Sequence, residues 1–452
     1  MITLRSRRVL ASGSSGGLAP ASLVVDNGRI VSFGAYDVPG IAEDADFGDL
    51  VLMPGLVDSH VHVNEPGRTD WEGFRTATQA AAAGGVTTLV DMPLNCLPVT
   101  TTKHALEVKL AELPGKLHVD VGFWGGVIPG NVGELAPMAK AGVLGCKAFM
   151  VNSGIDEFPN ATEDDLRAAM PVLRDAGVVL LAHAEVDLGD HDPPHGDDGR
   201  TYASYLRSRP REWENEAIRR LIALSTETRC PVHVVHLSSS DALPMLADAR
   251  ARGVKITSET CPHYLCFDAE HVPAGNTLYK CAPPIREHDN RERLWQGLRD
   301  GVIDLVVSDH SPCTAALKTL ERGDFHEAWG GVSSLSLGLS AVWTEAQKRG
   351  FALADVALWM SERPAFLAGL AHKGRLAPGC DADFVAWDPE ATFVVDAQKL
   401  HFKNKQTPYD GRTLSGVVHA TYLRGEPVFR KDASDPFAAP RGRTLLGRER
   451  RA

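Results

Sequence analysis

The fold is decided by the stretch LVLMPGLVDSHVH, residues 50–62, an apolar run that ends in two histidines. Seven further strand-like runs follow it along the chain: VTTLVDMP (86–93), HVDVGFWGGV (118–127), GVLGCKAFMV (142–151), VVLLAHAE (178–185), VHVVHLSS (232–239), VKITSETCPHY (254–264) and DLVVSDHSP (304–312). Segments with the apolar spacing of helices, such as residues 69–85 and 215–228, lie between them. Eight buried strands that alternate with helices predict an α/β fold, a (β/α)8 TIM-type barrel, in preference to an open doubly wound sheet.

Short β-rich runs at both ends of the chain do not fit into that barrel. ITLRSRRVL (2–10) and SLVVDNGRIVSFG (22–34) precede it, and DADFVAWDP (381–389), TFVVDA (392–397) and GVVHATYLRGEPVF (416–429) follow it. We expect these strands to pair in a small β-sandwich. The predicted domains are residues 1–53 and 373–432 for the sandwich and 54–372 for the barrel, with a flexible tail over 433–452.

The composition is that of a globular protein with a large core. Of 452 residues, 44% are hydrophobic and 23% charged, which excludes a mainly disordered chain, a disulfide-rich miniprotein and a collagen. Because 47 Lys and Arg face 58 Asp and Glu, the net charge is −11, and no general basic field for nucleic acid or anionic membranes is expected. No apolar run reaches about 18 residues, the N-terminus lacks a signal-peptide core, and the eight cysteines form no Cys-x-x-Cys pair. We therefore expect a cytoplasmic protein with reduced cysteines.

Histidines, a lysine and an aspartate stand where five of the predicted strands end. They are His60, His62, Lys147, His183, His236 and Asp309. In a barrel the carboxyl ends of the strands meet at one face, and residues i and i+2 of a strand point to the same side, so His60 and His62 can hold one metal ion together. A single histidine at a strand end is usually structural, but this set of nitrogen and oxygen ligands suits a catalytic divalent ion. Zn²⁺ is favoured, with Co²⁺, Mn²⁺ or Fe²⁺ as alternatives.

Lys147 does not fit this set by its position alone. It lies inside the apolar run VLGCKAFMV, where an ammonium group would repel a metal ion and resist burial. From the residues alone, the favoured interpretation is a lysine whose ammonium group reaches solvent or pairs with a carboxylate.

The chain resembles the cyclic amidohydrolases, a group within the amidohydrolase superfamily. The resemblance is carried by PGLVDSHVHVNEPGRTDWEGF (54–74), GGVTTLVDMPLNCLP (84–98), GCKAFMVNSGIDEFP (145–159), HVVHLSS (233–239), ETCPHYL (259–265), CAPPIR (281–286) and VSDHSPC (307–313). GRLAPGCDADFVAWDP (374–389) and KNKQTPYDG (403–411) extend it into the C-terminal strands. Each motif is weak by itself, but in combination the motifs are specific and cover nearly the whole chain up to the predicted tail.

The resemblance implies a barrel with two divalent metal ions per chain. By resemblance, one ion takes His60, His62 and Asp309, and the other takes His183 and His236. Lys147 matches the family lysine that reacts with CO2 to form an N6-carboxylysine, whose carbamate bridges the ions and removes the unfavourable positive charge. A hydroxide bridging the metals would attack a ring amide, with Asp309 as general base and then general acid.

Three ring substrates compete within this group: dihydroorotate, dihydropyrimidine or hydantoin, and allantoin. Dihydroorotases usually have an arginine two residues after the second histidine, where it binds the substrate carboxylate, but this chain has Asn64. Hydantoinases and dihydropyrimidinases usually have a tyrosine five residues after the lysine, and this chain has Asn152. Hydrolysis of uncharged allantoin to allantoate is therefore the expected reaction, and the other two ring hydrolyses are the alternatives.

Candidate substrate contacts follow from side-chain chemistry and from the matched motifs. Asn64 and Asn95 offer amide groups to the ureido arm of allantoin, although Asn95 equally suits a loop cap. Asn152 is a third candidate at the tyrosine position. Cys281 and Ala282 belong to the family segment whose backbone contacts the substrate ring.

The remaining predictions concern supporting residues and assembly. Glu65, Arg68, His263 and His310 are expected to orient the metal-binding histidines or to be structural. Residues 323–331 predict a loop that either closes over the substrate or lies plainly on the surface. The resemblance suggests a homotetramer. A non-catalytic scaffold of the same superfamily is disfavoured, because every ligand position is kept.

Overall fold

The computed structural model describes residues 1–12, 17–37, 43–189 and 199–447. The described strands are β1 (Ile2–Val9), β2 (Ala19–Asp26), β3 (Arg29–Gly34), β4 (Glu43–Asp46), β5 (Val51–Pro54), β6 (Leu56–Val61), β7 (Val86–Asp91), β8 (Asp120–Phe123), β9 (Gly125–Gly126), β10 (Gly145–Phe149), β11 (Val179–His183), β12 (Val232–Val234), β13 (Ile256–Thr260), β14 (Leu305–Val306), β15 (Phe384–Val394), β16 (Thr413–Leu423), β17 (Glu426–Arg430) and β18 (Thr444–Leu445). The helices are α1 (Phe74–Ala83), α2 (Lys103–Ala111), α3 (Val132–Ala141), α4 (Glu163–Asp175), α5 (Tyr202–Arg207), α6 (Arg211–Thr228), α7 (Leu243–Ala251), α8 (Pro262–Cys266), α9 (His288–Arg299), α10 (Ala315–Lys318), α11 (Gly338–Lys348), α12 (Leu353–Ala357) and α13 (Arg363–Ala368).

Strands from both ends of the chain join in one eight-stranded sheet, which forms the predicted β-sandwich domain. Its order is β17-β16-β15-β5-β1-β2-β3, with β4 beside β1. The N-terminal and C-terminal parts meet where β5 pairs antiparallel with β15, so that Pro54 lies opposite Phe384. Phe384 stacks on Tyr422 of β16 with ring centroids 4.5 Å apart, inside the apolar core of this domain.

The middle of the chain forms the predicted barrel. Strands β6, β7 and β8 are parallel neighbours in that order, and β9 to β14 form a second parallel run. β8 and β9 are successive parts of one barrel strand, interrupted at Trp124. The circle closes where Val61 bridges to His310 in parallel, and the His62 N–H donates to the His310 carbonyl at 2.9 Å. The eight strand positions match the eight predicted runs, which confirms the (β/α)8 prediction.

The stretch 50–62 divides at Gly55 into two strands with different partners. β5 joins the sandwich sheet, whereas β6 begins the barrel. A Cβ at Gly55 would lie 2.3 Å from Cγ2 of Thr87, so a glycine is needed for the chain to pass this close to β7. The run 50–62 therefore contributes one strand to each domain. The sequence did not show this division, because Gly55 separates the two strands without interrupting the apolar pattern.

The described part of the predicted tail, residues 433–447, lies against the barrel. β18 pairs with β8, and the Gly442 N–H donates to the Leu117 carbonyl at 2.9 Å. The Asp120 carboxylate accepts the Arg443 N–H at 2.7 Å. This part thus differs from the expected solvated tail, since backbone pairing requires no apolar pattern in the added strand. Residues 448–452 of that prediction lie outside the described residues.

Two further observations concern the cysteines and membranes. All eight cysteines are buried and free, as expected for reduced thiols. Within the described ranges, the helices lack the combination of length and apolar character that crossing a bilayer requires.

Candidate active site

Six predicted side chains meet at the carboxyl ends of the barrel strands. His60 lies in β6 and His62 directly after it, Lys147 lies in β10, His183 ends β11, and His236 and Asp309 follow β12 and β14. All six are buried, with at most 7% of each residue exposed. The barrel therefore brings together every residue that was predicted as a metal ligand, from positions up to 249 residues apart in the chain (309 − 60).

The first group of ligand atoms is centred on Asp309. Its Oδ1 lies 3.1 Å from Nε2 of His60 and 3.5 Å from Nε2 of His62. Nζ of Lys147 lies 3.2 Å from the same nitrogen of His60. One ligand atom from each of His60, His62 and Asp309 lies within 4.8 Å of the others.

The second group consists of two imidazoles that face each other. Nδ1 of His183 lies 3.1 Å from Nε2 of His236. Two ligands on one tetrahedral zinc ion, with bonds of about 2.0–2.1 Å, are about 3.3 Å apart. The separations of 3.1 Å and 3.5 Å between Asp309 and the two imidazoles, and of 3.1 Å between His183 and His236, agree with that spacing. The residues present can therefore hold divalent metal ions.

Lys147 follows neither interpretation that its sequence position favoured. Only 1% of the residue is exposed, so its ammonium group does not reach solvent. Within the described ranges, no carboxylate lies within 4.0 Å of its Nζ. Its nearest polar partner is instead the imidazole of His60, a predicted metal ligand, at a position where a cation would oppose metal binding.

Two buried glutamates, neither of which was predicted from the sequence, fix the orientation of the imidazoles. Oε1 of Glu259 lies 2.5 Å from Nδ1 of His60, and its Oε2 lies 2.9 Å from Nε2 of His233. Oε2 of Glu185 lies 2.7 Å from Nε2 of His183. In His60 and His183 the carboxylate thus engages one ring nitrogen and leaves the other directed at the centre. The available signal was a carboxylate within a strand run for Glu259 and at the end of one for Glu185.

Glu259→Gln should weaken metal binding about 10- to 100-fold, because a neutral amide polarises the His60 imidazole less than a carboxylate does. The dissociation constant of the metal, measured by competition with a chelator, checks this. Glu345→Gln is the control, since Glu345 pairs with Lys348 and Arg349 on α11 and does not contact the cluster. An unchanged metal affinity in Glu259→Gln would show that Glu259 does not position His60.

Burial sets the protonation states of the cluster. It lowers the pKa of all four histidines, and it lowers the pKa of Lys147 to about 8. For Asp309, burial by itself raises the pKa, but the hydrogen bond from His62 and the nearby positive charges outweigh it, so the pKa lies below its usual value. Near neutral pH the imidazoles are therefore neutral and Asp309 is ionised, as metal binding requires.

Four residues at this end of the barrel have a left-handed backbone. The φ angle is 70° at Asn64, 72° at Asn95, 40° at His236 and 44° at Asp309. Such a conformation costs a non-glycine residue about 1–3 kcal/mol and persists only where the surrounding structure imposes it. Strain of this kind is concentrated at functional sites, which agrees with the convergence of the predicted ligands.

A cavity of about 670 Å³ adjoins the cluster. Its lining includes His62, Lys147, His183, His236 and Asp309, the predicted contacts Asn95, Asn152, Cys281 and Ala282, and residues 326–331 of the predicted loop. Asn64 is not among the lining residues in the described chain, and its Nδ2 donates to the Pro312 carbonyl at 3.3 Å. The substrate contact of Asn64 stays a prediction, and in the structure its amide holds the loop after β14.

The other two asparagines border the cavity with part of their polar groups engaged. Oδ1 of Asn152 accepts the Gly154 N–H at 2.7 Å. Nδ2 of Asn95 lies 3.5 Å from Nδ1 of His62, and its carbonyl accepts a hydrogen bond of 3.0 Å from Arg68. Arg68 thus supports the loop that carries Asn95, which agrees with its expected supporting role.

The remaining supporting residues are buried behind the ligands. The Glu65 carboxylate accepts the Phe74 N–H at 2.8 Å and so fixes the start of α1. Nδ1 of His310 accepts the Ser334 N–H at 3.1 Å. His263 is completely buried, and neither of its ring nitrogens has a hydrogen-bond partner among the described residues.

The cationic side chains that line the cavity are already engaged. Lys147 belongs to the ligand cluster, and Nε of Arg209 donates to Glu185 at 3.1 Å. Nζ of Lys280 donates to the His326 carbonyl at 3.1 Å. In the part of the chain that is described, the cavity thus offers a substrate carboxylate no uncommitted lysine or arginine.

Residues 51–428 match the model of the amidohydrolase family. The chain is 52% identical to the allantoinase of Streptomyces avermitilis over 99% of both chains. It is 43% identical to the allantoinase of Saccharomyces cerevisiae, with 97% of this chain and 94% of the relative covered. Among solved structures it is similar to the L-hydantoinase (dihydropyrimidinase) of Arthrobacter aurescens, with a TM-score of 0.89 and 28% identity over 98% of this chain and 99% of the other.

Proposed function

The chain belongs to the amidohydrolase family, and we propose from this membership that it hydrolyses the ring amide of allantoin to give allantoate, a step of purine catabolism. The observation that carries this choice is the full-length similarity to proteins named allantoinase from a bacterium and a yeast. The cavity agrees with it, because a neutral ring with a ureido arm needs hydrogen-bonding groups and no cationic partner. Hydantoin or dihydropyrimidine hydrolysis is the second candidate, favoured by the likeness to the Arthrobacter enzyme.

We propose that the six clustered residues bind two divalent ions, with zinc favoured. One ion takes His60, His62 and Asp309, and the other takes His183 and His236. The spacing of the ligand atoms and the neutral state of the imidazoles support this assignment. Bound divalent ions would polarise the ring carbonyl and lower the pKa of water toward about 7.

We propose that Lys147 is an N6-carboxylysine shared by the two groups. The ammonium group first gives one proton to water, and the neutral amine nitrogen then bonds to the carbon of CO2 and gives a second proton to water, which leaves an anionic carbamate. The lowering of its pKa to about 8 by burial supports this, because the neutral amine is then accessible near physiological pH. The carbamate also removes the conflict between a buried cation and a metal site.

In the proposed reaction Asp309 moves the proton. Its carboxylate lines the cavity and is ionised, so it can accept a proton from the attacking water. It then delivers this proton to the ring nitrogen as the amide bond breaks. Asn95 and the backbone of Cys281 and Ala282 line the same cavity and are the proposed contacts with the ring and its ureido arm.

Protein purified without chelators should contain about two divalent ions per chain and convert allantoin to allantoate. Chelation should abolish the activity, and adding the metal back should restore it. Elemental analysis and quantification of allantoate on one preparation check both statements, and His236→Ala should lose mainly one of the two ions. Active enzyme with a single ion would contradict the binuclear centre, and fully loaded protein that leaves allantoin intact would contradict the proposed function.

We also propose a homotetramer in the cytoplasm. The eight buried, free cysteines support a reducing compartment. The tetramer rests on the family resemblance, and sedimentation of the purified protein measures it directly.

A further inference from the structure

Two lysines that the proposed mechanism does not use are buried beside the cavity. Lys280 precedes the Cys281 segment and is 9% exposed, and Lys318 ends α10 and is 2% exposed. Among the described residues, neither has a carboxylate within ion-pair distance. Burying an ammonium group without a counter-charge is costly unless each of its N–H groups finds an acceptor.

Lys318 finds its acceptors in the cavity wall. Its Nζ donates to the Trp329 carbonyl at 3.0 Å and to the Gly331 carbonyl at 2.5 Å. Its own carbonyl accepts a hydrogen bond from the Thr277 hydroxyl, so the backbone that carries the lysine is fixed as well.

Lys280 binds the preceding part of the same loop. Its Nζ donates to the His326 carbonyl at 3.1 Å and to the Ala328 carbonyl at 2.5 Å. The Gly331 N–H donates back to the Lys280 carbonyl at 2.8 Å. Together the two lysines bind four carbonyl oxygens within six consecutive residues, 326–331.

These six residues form one wall of the cavity, although they contain no helix or strand. Trp329 packs edge-on against Trp71, with ring centroids 4.9 Å apart. At Gly331, a Cβ would lie 2.2 Å from the Ser311 carbonyl oxygen, and φ is 141°. The loop is held by these contacts and also by backbone hydrogen bonds, from the Ala328 N–H to the Asp324 carbonyl at 3.0 Å and from the Trp329 N–H to the Leu317 carbonyl at 2.8 Å.

We propose that Lys280 and Lys318 are positioning residues that hold residues 326–331 as a preformed wall of the substrate site. Release of the loop would leave the buried N–H groups of both lysines without these acceptors, so the lysines make opening unfavourable. The loop is then a fixed part of the site, and the lysines act on substrate affinity more than on the chemical step. This role in affinity rests on the proposed function, whereas the restraint on the loop does not.

Lys318→Met tests this, because methionine is unbranched like the apolar stem of lysine but has no N–H donors. We expect KM for allantoin to rise about 10-fold or more with kcat changed less than about 3-fold, since uniform binding is lost. Amide hydrogen exchange of residues 326–331 should accelerate about 10-fold or more, while exchange in β11 stays at the wild-type rate. Lys280→Met should do the same, and the exposed Lys348→Met is the control that should change neither quantity.

Exchange and KM that are unchanged in both buried-lysine variants would overturn the proposal. A fall in kcat at constant KM would also overturn it, because it would place the lysines in the chemical step. If wild-type protein leaves allantoin intact, the proposed function fails, but the exchange comparison still decides whether the lysines restrain the loop.

Discussion

Lys147→Ala should lose most of the bound metal and nearly all activity, a fall in kcat of about 10³-fold or more, because water without a metal returns to a pKa of about 15.7. The expectation follows from the position of Nζ, which lies 3.2 Å from Nε2 of His60, a proposed metal ligand. Elemental analysis and steady-state kinetics of the purified variant measure both effects.

Three experiments separate a carbamate from an ordinary lysine. Lys147→Arg keeps the positive charge but cannot form a carbamate, so it should fail as completely as Lys147→Ala. A small carboxylic acid added to Lys147→Ala should restore part of both metal content and activity, by supplying an anionic oxygen ligand in the cavity left by the side chain. Bicarbonate should likewise speed reactivation of metal-stripped wild type. Normal metal content and activity in Lys147→Arg would contradict the carbamate.

The barrel strands could be predicted because burial on both faces produces apolar runs that are visible without any contact information. The convergence of the proposed metal ligands could be predicted for a related reason. The carboxyl ends of parallel strands share one face, so His60, His183 and His236 meet although they lie far apart in the chain. Local pattern and topology together thus fixed the place of the site.

Features that depend on single contacts could not be predicted. The break at Gly55 follows from the closeness of Thr87, and the pairing of β18 with β8 uses backbone groups that every sequence has. Asn64 was predicted as a substrate contact from the chemistry of its amide, but the hydrogen bond from its Nδ2 to the Pro312 carbonyl is visible only in the fold. Side-chain direction at a loop is set by a local φ angle, which residue type alone does not determine.

The hydrogen-bond partners of buried charged residues could not be predicted either. Glu259 and Lys318 lie in segments that read as ordinary strand and loop, yet each is buried and satisfied by several hydrogen bonds. A sequence shows that a charged residue interrupts an apolar run, but not which acceptor or donor meets it. Such residues are recognised only once the chain is folded.

The second large expected effect is a preference for allantoin over dihydroorotate, because the cavity, as the described residues line it, offers no free cationic group to a substrate carboxylate. Dihydroorotate carries a carboxylate, whereas allantoin is neutral. Arg209 is already paired with Glu185, and Lys280 is bound to loop carbonyls, so neither is free for that carboxylate. Leaving the carboxylate unpaired in the cavity should cost at least about 2.7 kcal/mol in the transition state, or about 100-fold in kcat/KM.

One measurement tests this account most directly: kcat/KM for allantoin, hydantoin, dihydrouracil and dihydroorotate, determined side by side on one preparation that holds its full complement of metal. Allantoin should be hydrolysed fastest and should exceed dihydroorotate by at least about 100-fold in kcat/KM. Dihydroorotate hydrolysed as well as allantoin would contradict it, because the cavity would then provide the cationic partner that the structure shows to be engaged elsewhere.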